Sequence, residues 1–359
     1  MKVRAVDVSA FAVPLSRPYA IAHQATDAAA LARVMVTLDG GTTGLGTATP
    51  EPLVTGETFA RCEGGLRVAA AWLCGLSFTD PRELGGLLRA SLPDAPAARA
   101  ALDMALHDAW GKRRGRPVVD LLGRVHDALP TSITIGVRDV ADTLAEAREH
   151  LDRGFRLLKV KVGEDVALDV ERLARLRELV GAEVPLLADA NAGYTFANLR
   201  EFLDRTRDLD LALIEQPLPR AAADAQRALP PDEVARLVAD ESLLDTADAE
   251  RLAAAPRAFG TWNIKLMKCG GITPALDIAR IAHGDGIALM WGCMDESVIG
   301  IAAALHAAFA CPATRWLDLD GSFDLSRDVA TGGFDLQDGL LRPVGRPGLG
   351  VEAIAGTRA

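Results

Sequence analysis

The sequence predicts an α/β protein, a closed barrel of parallel strands and crossover helices that follows a shorter α+β module. Three observations carry that prediction. From Thr131 onward, eight short apolar runs alternate with stretches of helical periodicity. Five of those runs close on an ionisable residue, at Lys161, Asp189, Glu215, Asp240 and Lys265, and the intervals of 28, 26, 25 and 25 residues match one strand-plus-helix unit each. Before Thr131 the alternation is absent.

In chain order, Val3 to Val13 and Leu31 to Leu38 read as strands, the second running into a tight turn at Asp39-Gly40-Gly41. Glu57 to Leu76 and Ala97 to Arg113 read as helices. The barrel strands are expected at 131–137, 156–162, 185–190, 211–216, 236–240, 260–266, 286–291 and 315–319. Between most of them, as at Val140 to Asp152 and Val166 to Val180, apolar residues recur three to four apart, the spacing of a helix with one buried face. Short buried strands joined by helices favour parallel pairing and a closed barrel, whose site lies where the strands end. From Phe323 the chain holds Pro343, Pro347 and several glycines, and is expected to run back to the first module.

At 359 residues, 49% hydrophobic and 25% charged, the chain can bury a large barrel core and a smaller one. A net charge of -10 argues against a nucleic-acid surface, which needs clustered Lys and Arg, so small molecules are the expected partners. The five cysteines are widely spaced, with no Cys-x-x-Cys, which points away from zinc and from a disulfide framework. The longest apolar stretch, 298–311, is interrupted by His306 and too short to span a bilayer, and no leader pattern is seen, so a cytoplasmic protein without membrane partners is expected.

Asp189, Glu215 and Asp240 end three successive strands. Any one of them alone reads equally well as a solvated carboxylate; their common phase suggests a set of hard oxygen ligands for one Mg2+ per subunit. Lys159 and Lys161, two apart on a strand, point to the same side, and buried ammonium groups are tolerated there only beside carboxylates or at a polar mouth. Lys265 lies on the sixth strand, across the barrel. This equipment suits removal of a proton next to a carboxylate: the metal stabilises the enediolate, one lysine takes the proton and the other returns one from the opposite face. A neutral lysine is required, and a neighbouring lysine and a dication disfavour its charged form. The outcome is racemisation or epimerisation.

These residues resemble the enolase superfamily, within it the muconate-lactonizing enzyme subgroup, for which a lysine base with magnesium is the general chemistry. KVKVG (159–163), ADANAGY (188–194), IEQPL (214–218) and ADES (239–242) are close to its strand-end motifs, and AALDMALHDAWGKRRGRPVVDLLG (100–123) to its linker helix. The resemblance implies a (β/α)7β TIM-like barrel over 119–322, a capping domain over 1–118 and a C-terminal segment, 323–359, that completes the cap. It implies Lys161 and Lys265 as bases and Asp189, Glu215 and Asp240 as metal ligands. NIKLMKCGGI (263–272), GCMDES (292–297) and DLDG (318–321) are most similar to dipeptide epimerases, which invert the α-carbon of the C-terminal residue of an L,L-dipeptide. There the acids on the last strand, here Asp318 and Asp320, take the substrate's ammonium, and Thr134, Lys159, Asn191, Cys293, Met294, Asp295 and the loop residue His23 are expected to contact substrate.

One departure bears on substrate. Epimerases acting on Ala-Glu carry an arginine in the capping loop, and between Pro18 and Ala32 this chain has none, with His23 and Gln24 there instead. Asp295 is read as favouring a polar or cationic group. The alternatives are an N-acylamino acid racemase or o-succinylbenzoate synthase, which need no ammonium-binding Asp pair, and a non-catalytic metal- and ligand-binding barrel. Homo-oligomer formation is compatible with each.

Overall fold

The computed structural model describes the backbone of residues 1–21 and 24–354 and the side chains outside 17–26; His23 lies outside the described residues. Strands β1 (Val3–Ile21), β2 (Gln24–Leu38) and β3 (Thr43–Ala48) form an antiparallel sheet in that order. The first two run well beyond the expected strands, to Ile21 and back from Gln24. The turn at Asp39-Gly40-Gly41 leads from β2 into β3, with both glycines at positive φ (84° and 82°). The sequence reading leaves β3 out because TGLGTA is weak in strand-forming side chains. Its glycines are there for packing: a Cβ on Gly46 would lie 1.9 Å from the Ala101 carbonyl oxygen and one on Gly44 2.1 Å from that of Ala105. Helix Pro96–Arg114 therefore lies directly on the sheet through its buried alanines.

A short strand, β4 (Leu129–Pro130), precedes the barrel. The barrel strands are β5 (Ile133–Ile135), β6 (Leu158–Lys161), β7 (Leu186–Asp189), β8 (Leu211–Glu215), β9 (Leu237–Ala239), β10 (Thr261–Ile264), β11 (Ala288–Gly292) and β12 (Thr314–Asp318). They pair in parallel in chain order. The ring closes where Thr131 bridges Leu317 and Ser132 N–H donates to the Leu317 carbonyl at 2.9 Å. A helical connection follows each of the first seven strands and none follows β12, so the barrel is (β/α)7β. Most strands are a residue or more shorter than expected, and Asp240 and Lys265 stand one residue beyond theirs.

Period-two alternation sorts the barrel wall. Leu157, Leu187, Leu213, Val238 and Met290 form an apolar plug inside it. Two residues further along the same strands stand Lys159, Asp189, Glu215 and Asp240, so the polar layer sits directly on the plug at the strands' C-terminal end. The alternate positions, such as Leu158, Val160, Ala188 and Ile214, pack outward into the core shared with the helices.

After β12 the chain returns to the first module. Ser16 N–H donates to Asp324 O at 2.6 Å, Ser326 N–H to Pro14 O at 2.9 Å, and Leu349 N–H to Asp108 Oδ1 at 2.8 Å. On the way, β14 (Phe334–Gln337) and β15 (Leu340–Pro343) extend β4, while β13 (Ala330–Gly332) pairs with β16 (Val351–Ala353).

Candidate active site

Strand register builds the floor of the site. Lys161, Asp189 and Glu215 are paired across β6, β7 and β8, so their side chains rise in one row. The Lys159 ammonium lies among them, 2.9 Å from Asp189 Oδ2, 2.8 Å from Glu215 Oε2 and 2.7 Å from Asp318 Oδ2. Lys159 is 2% exposed. Burial works to discharge it, and the three carboxylates outweigh burial and hold it charged.

On the other side, Lys265 Nζ is 2.9 Å from Asp240 Oδ2. Burial favours the neutral amine, but Asp240 and then Glu215 raise Lys265 above the ordinary lysine range. Lys161 Nζ is 2.8 Å from Asp189 Oδ2.

Several residues the sequence reading passed over complete the floor. Lys268, 3% exposed, donates to the Asp240 carboxylate, to the Asp240 backbone oxygen at 2.6 Å and to Asn263 O at 3.1 Å. Asn263 Nδ2 donates to Glu215 Oε1 at 2.6 Å. Gln216 Oε1 accepts from the N–H groups of Asp240 and Ser242, each at 3.0 Å, fixing the loop after β9. Asn263 lies two residues before Lys265, so the alternation that found the lysine also reaches it; Lys268 is in a short helix beyond the strand, where that signal stops.

The carboxylates bear directly on a metal. Burial, then Asp189, pushes Glu215 up to about 7, and burial, then Asp240, pushes Glu241 up to about 8. Glu241 Oε2 is buried with no hydrogen-bond partner. Among the described residues no three such groups stand as an open ligand shell, and the Asp189, Glu215 and Asp240 carboxylates are each in contact with a lysine. The donor set is all oxygen and crowded with negative charge, which fits a hard divalent cation.

Above the floor is a cavity of about 460 Å³ lined by Thr134, Lys159, Lys161, Asn191, Asp240, Lys265, Cys293, Met294, Asp295, Asp318 and Asp320. Asp189 and Glu215 lie beneath it, 0% and 2% exposed. Glu51, Leu53 and Val54 enter from the first module. Asp318 and Asp320 are not equivalent. Asp318 accepts from Ser132 Oγ at 2.5 Å and from Lys159 at 2.7 Å. Asp320 Oδ2 accepts from Thr134 N–H at 2.8 Å, and burial and Asp318 raise its carboxyl.

A barrel with a polar floor of strand-end lysines and carboxylates, roofed by a separate α+β cap, is the architecture of enolase-superfamily enzymes. Residues 4–123 match the mandelate racemase/muconate lactonizing enzyme N-terminal domain and residues 142–355 the enolase C-terminal domain-like family; the chain belongs to this family. It is 52% identical over 352 residues to L-Lys-D/L-Arg epimerase of Methylococcus capsulatus, covering 98% of this chain and 99% of that protein. It is 47% identical over 357 residues to L-Lys-D/L-Arg epimerase of Desulforapulum autotrophicum, covering 99% and 100%. The crystal structure of the dipeptide epimerase from M. capsulatus, complexed with Mg and the dipeptide L-Arg-D-Lys, superposes with a TM-score of 0.95 at 52% identity, over 98% of this chain and 99% of that one. These relatives are isomerases acting on amino acid derivatives. No described helix is long and apolar enough to cross a membrane.

Proposed function

We propose that this protein is a Mg2+-dependent dipeptide epimerase that inverts the α-carbon of the C-terminal residue, prefers cationic dipeptides, and uses Lys161 and Lys265 as its two bases. One observation carries the reading. The two lysines belong to β6 and to the end of β10, four strands apart in a ring of eight, so they face each other across one cavity. Bases on opposite faces of a carbon are what inversion by proton transfer requires.

Asp189, Glu215 and Asp240 are the residues to hold Mg2+, which when bound stabilises the negative charge that develops on the substrate carboxylate as the α-proton leaves. Lys161 and Lys265 exchange the proton with the α-carbon, each from its own side. Lys159 keeps the acids of the floor in place, and Asp320 takes the ammonium of the dipeptide. Thr134, Asn191, Cys293 and Met294 line the space for its backbone. Support for cationic side chains comes from acids in the lining, Glu51, Glu149, Asp295 and Asp324, and from the names of the two relatives at 52% and 47% identity. We infer the division into a cap (1–118), a barrel (119–322) and a returning segment (323–359), and a cytoplasmic location, in keeping with five free cysteines.

The test is incubation with Mg2+ in D2O against a dipeptide library, read by mass spectrometry. Deuterium should enter the α-carbon of the second residue of Lys- and Arg-containing dipeptides, and Lys161→Ala and Lys265→Ala should each abolish epimerisation. Exchange on N-succinyl amino acids with none on any dipeptide would make the protein a racemase of N-acylated amino acids instead.

A further inference from the structure

On the outer side of the barrel wall, behind the floor of the site, helix Val166–Val180 carries a buried ion pair that proton transfer as proposed does not use. Arg172 is 0% and Asp169 2% exposed, with Arg172 Nη1 at 3.5 Å from Asp169 Oδ1. Taking both charges out of water is costly, and an apolar pair would fill the same volume without that cost. What the pair supplies is direction, and its bonds show where.

Strand β5 ends at Ile135, opposite Val160, so Lys161 has no strand partner on that side. Arg172 takes over where the ladder stops. Its Nη1 donates to Lys161 O and its Nη2 to Gly136 O, each at 2.8 Å, while Nε donates to Thr143 Oγ1 at 3.1 Å. Asp169 Oδ2 accepts from Gly163 N–H at 2.9 Å and from Tyr194 Oη at 2.7 Å. The backbone is thus pinned on both sides of Val162, and the loop after β7 is tied to the same point. Gly163, at a φ of 111°, leaves no room for slack: a Cβ there would meet the Ala190 oxygen at 2.4 Å.

We propose that Arg172 and Asp169 are positioning residues for Lys161, holding its backbone so that a side chain with four rotatable bonds delivers its amine to one face of the substrate. The inference rests on the two-base reading above. Lys265, on the far side of the barrel, has no bond to this pair, so the prediction is one of asymmetry: disturbing the pair impairs proton transfer on the Lys161 face and spares the Lys265 face.

The experiment measures α-hydrogen exchange in D2O, with Mg2+ present, starting separately from L-Lys-L-Arg and L-Lys-D-Arg. Lys161→Ala comes first and identifies the epimer whose exchange depends on Lys161. Arg172→Met should slow exchange from that epimer by about 100-fold, the scale of a small misplacement of a catalytic group, and leave the other epimer's rate unchanged. Tyr194→Phe, which removes one bond to Asp169 and keeps the ion pair, should show the same one-sided loss to a smaller extent, and it carries the test if Arg172→Met does not fold. Equal losses for both epimers, or none, in the folded variants overturn the proposal. If Lys161→Ala is not itself one-sided, the two-base reading falls; if it is one-sided and the Arg172 and Tyr194 variants are not, only the positioning role falls.

Discussion

Thr273 Oγ1 donates to Asp103 Oδ1 at 2.6 Å, and the Thr273 backbone N–H reaches Asp103 Oδ2 at 3.2 Å. An acid on the long helix of the cap thus closes the N-terminal turn of a barrel helix, Ile272–Gly284. Asp103 is 1% exposed. Thr273→Val should destabilise the protein by about 1–3 kcal/mol, the cost of leaving a buried acceptor short of a donor. Urea unfolding checks it, and a change within about 0.5 kcal/mol, as at ordinary surface sites, would show that the contact contributes nothing.

Lys159 balances three buried carboxylates. Lys159→Met should lower stability by about 3–5 kcal/mol in chelator, since breaking a buried charge cluster leaves the remaining charges uncompensated. Mg2+ should then raise the melting temperature of the variant more than that of the unaltered chain, because a ligand stabilises in proportion to its preference for the folded state. Equal shifts would mean that the acids Lys159 holds are not the acids that bind the metal.

Asp320 and Asp318 separate the two substrate classes. Asp320→Asn should raise KM for dipeptides by about 30-fold, equivalent to about 2 kcal/mol for a charge pair lost at a buried contact. Any exchange on N-succinyl amino acids, which present no ammonium, should be unaffected. Asp318→Asn should impair both, because it loosens Lys159 at the floor. Steady-state kinetics on the two substrate types decides this.

His306 is fully buried and accepts a hydrogen bond from Val119 N–H at Nδ1, 3.0 Å away. Burial, then Arg124, lowers it from 6.5 to about 3. Between those values the unfolded chain binds a proton that the folded chain refuses, so stability is intact above pH 6.5 and falls as pH drops toward 3. The loss should approach about 1.4 kcal/mol per pH unit, or about 2 kcal/mol by pH 5. His306→Gln, which keeps an acceptor and does not titrate, should flatten that limb in denaturant titrations across pH. An unchanged limb would assign it to the carboxylates.

The barrel was legible in the sequence because its signals are local. Each strand is a short apolar run, each crossover repeats at helical spacing, and period two carried Lys159 and Lys161 onto one face together. The cap was harder to read. Strand β3 is hidden by Gly44 and Gly46, whose role is contact with a helix sixty residues on. Lys268, Gln216 and the Arg172–Asp169 pair lie outside the alternation, and their meaning depends on which backbone groups are brought near them. The contact of Lys265 with Asp240 joins residues from two strands, so spacing along one chain segment does not reveal it.

The bonds of Ser16 with Asp324 and of Leu349 with Asp108 make the cap the meeting place of both ends of the chain. The barrel is therefore moored twice, by the linker that leaves the cap and by the segment that comes home to it, and the path forms a closed circuit. A cap transplanted from a relative must therefore bring its terminal segment as well as its first hundred residues.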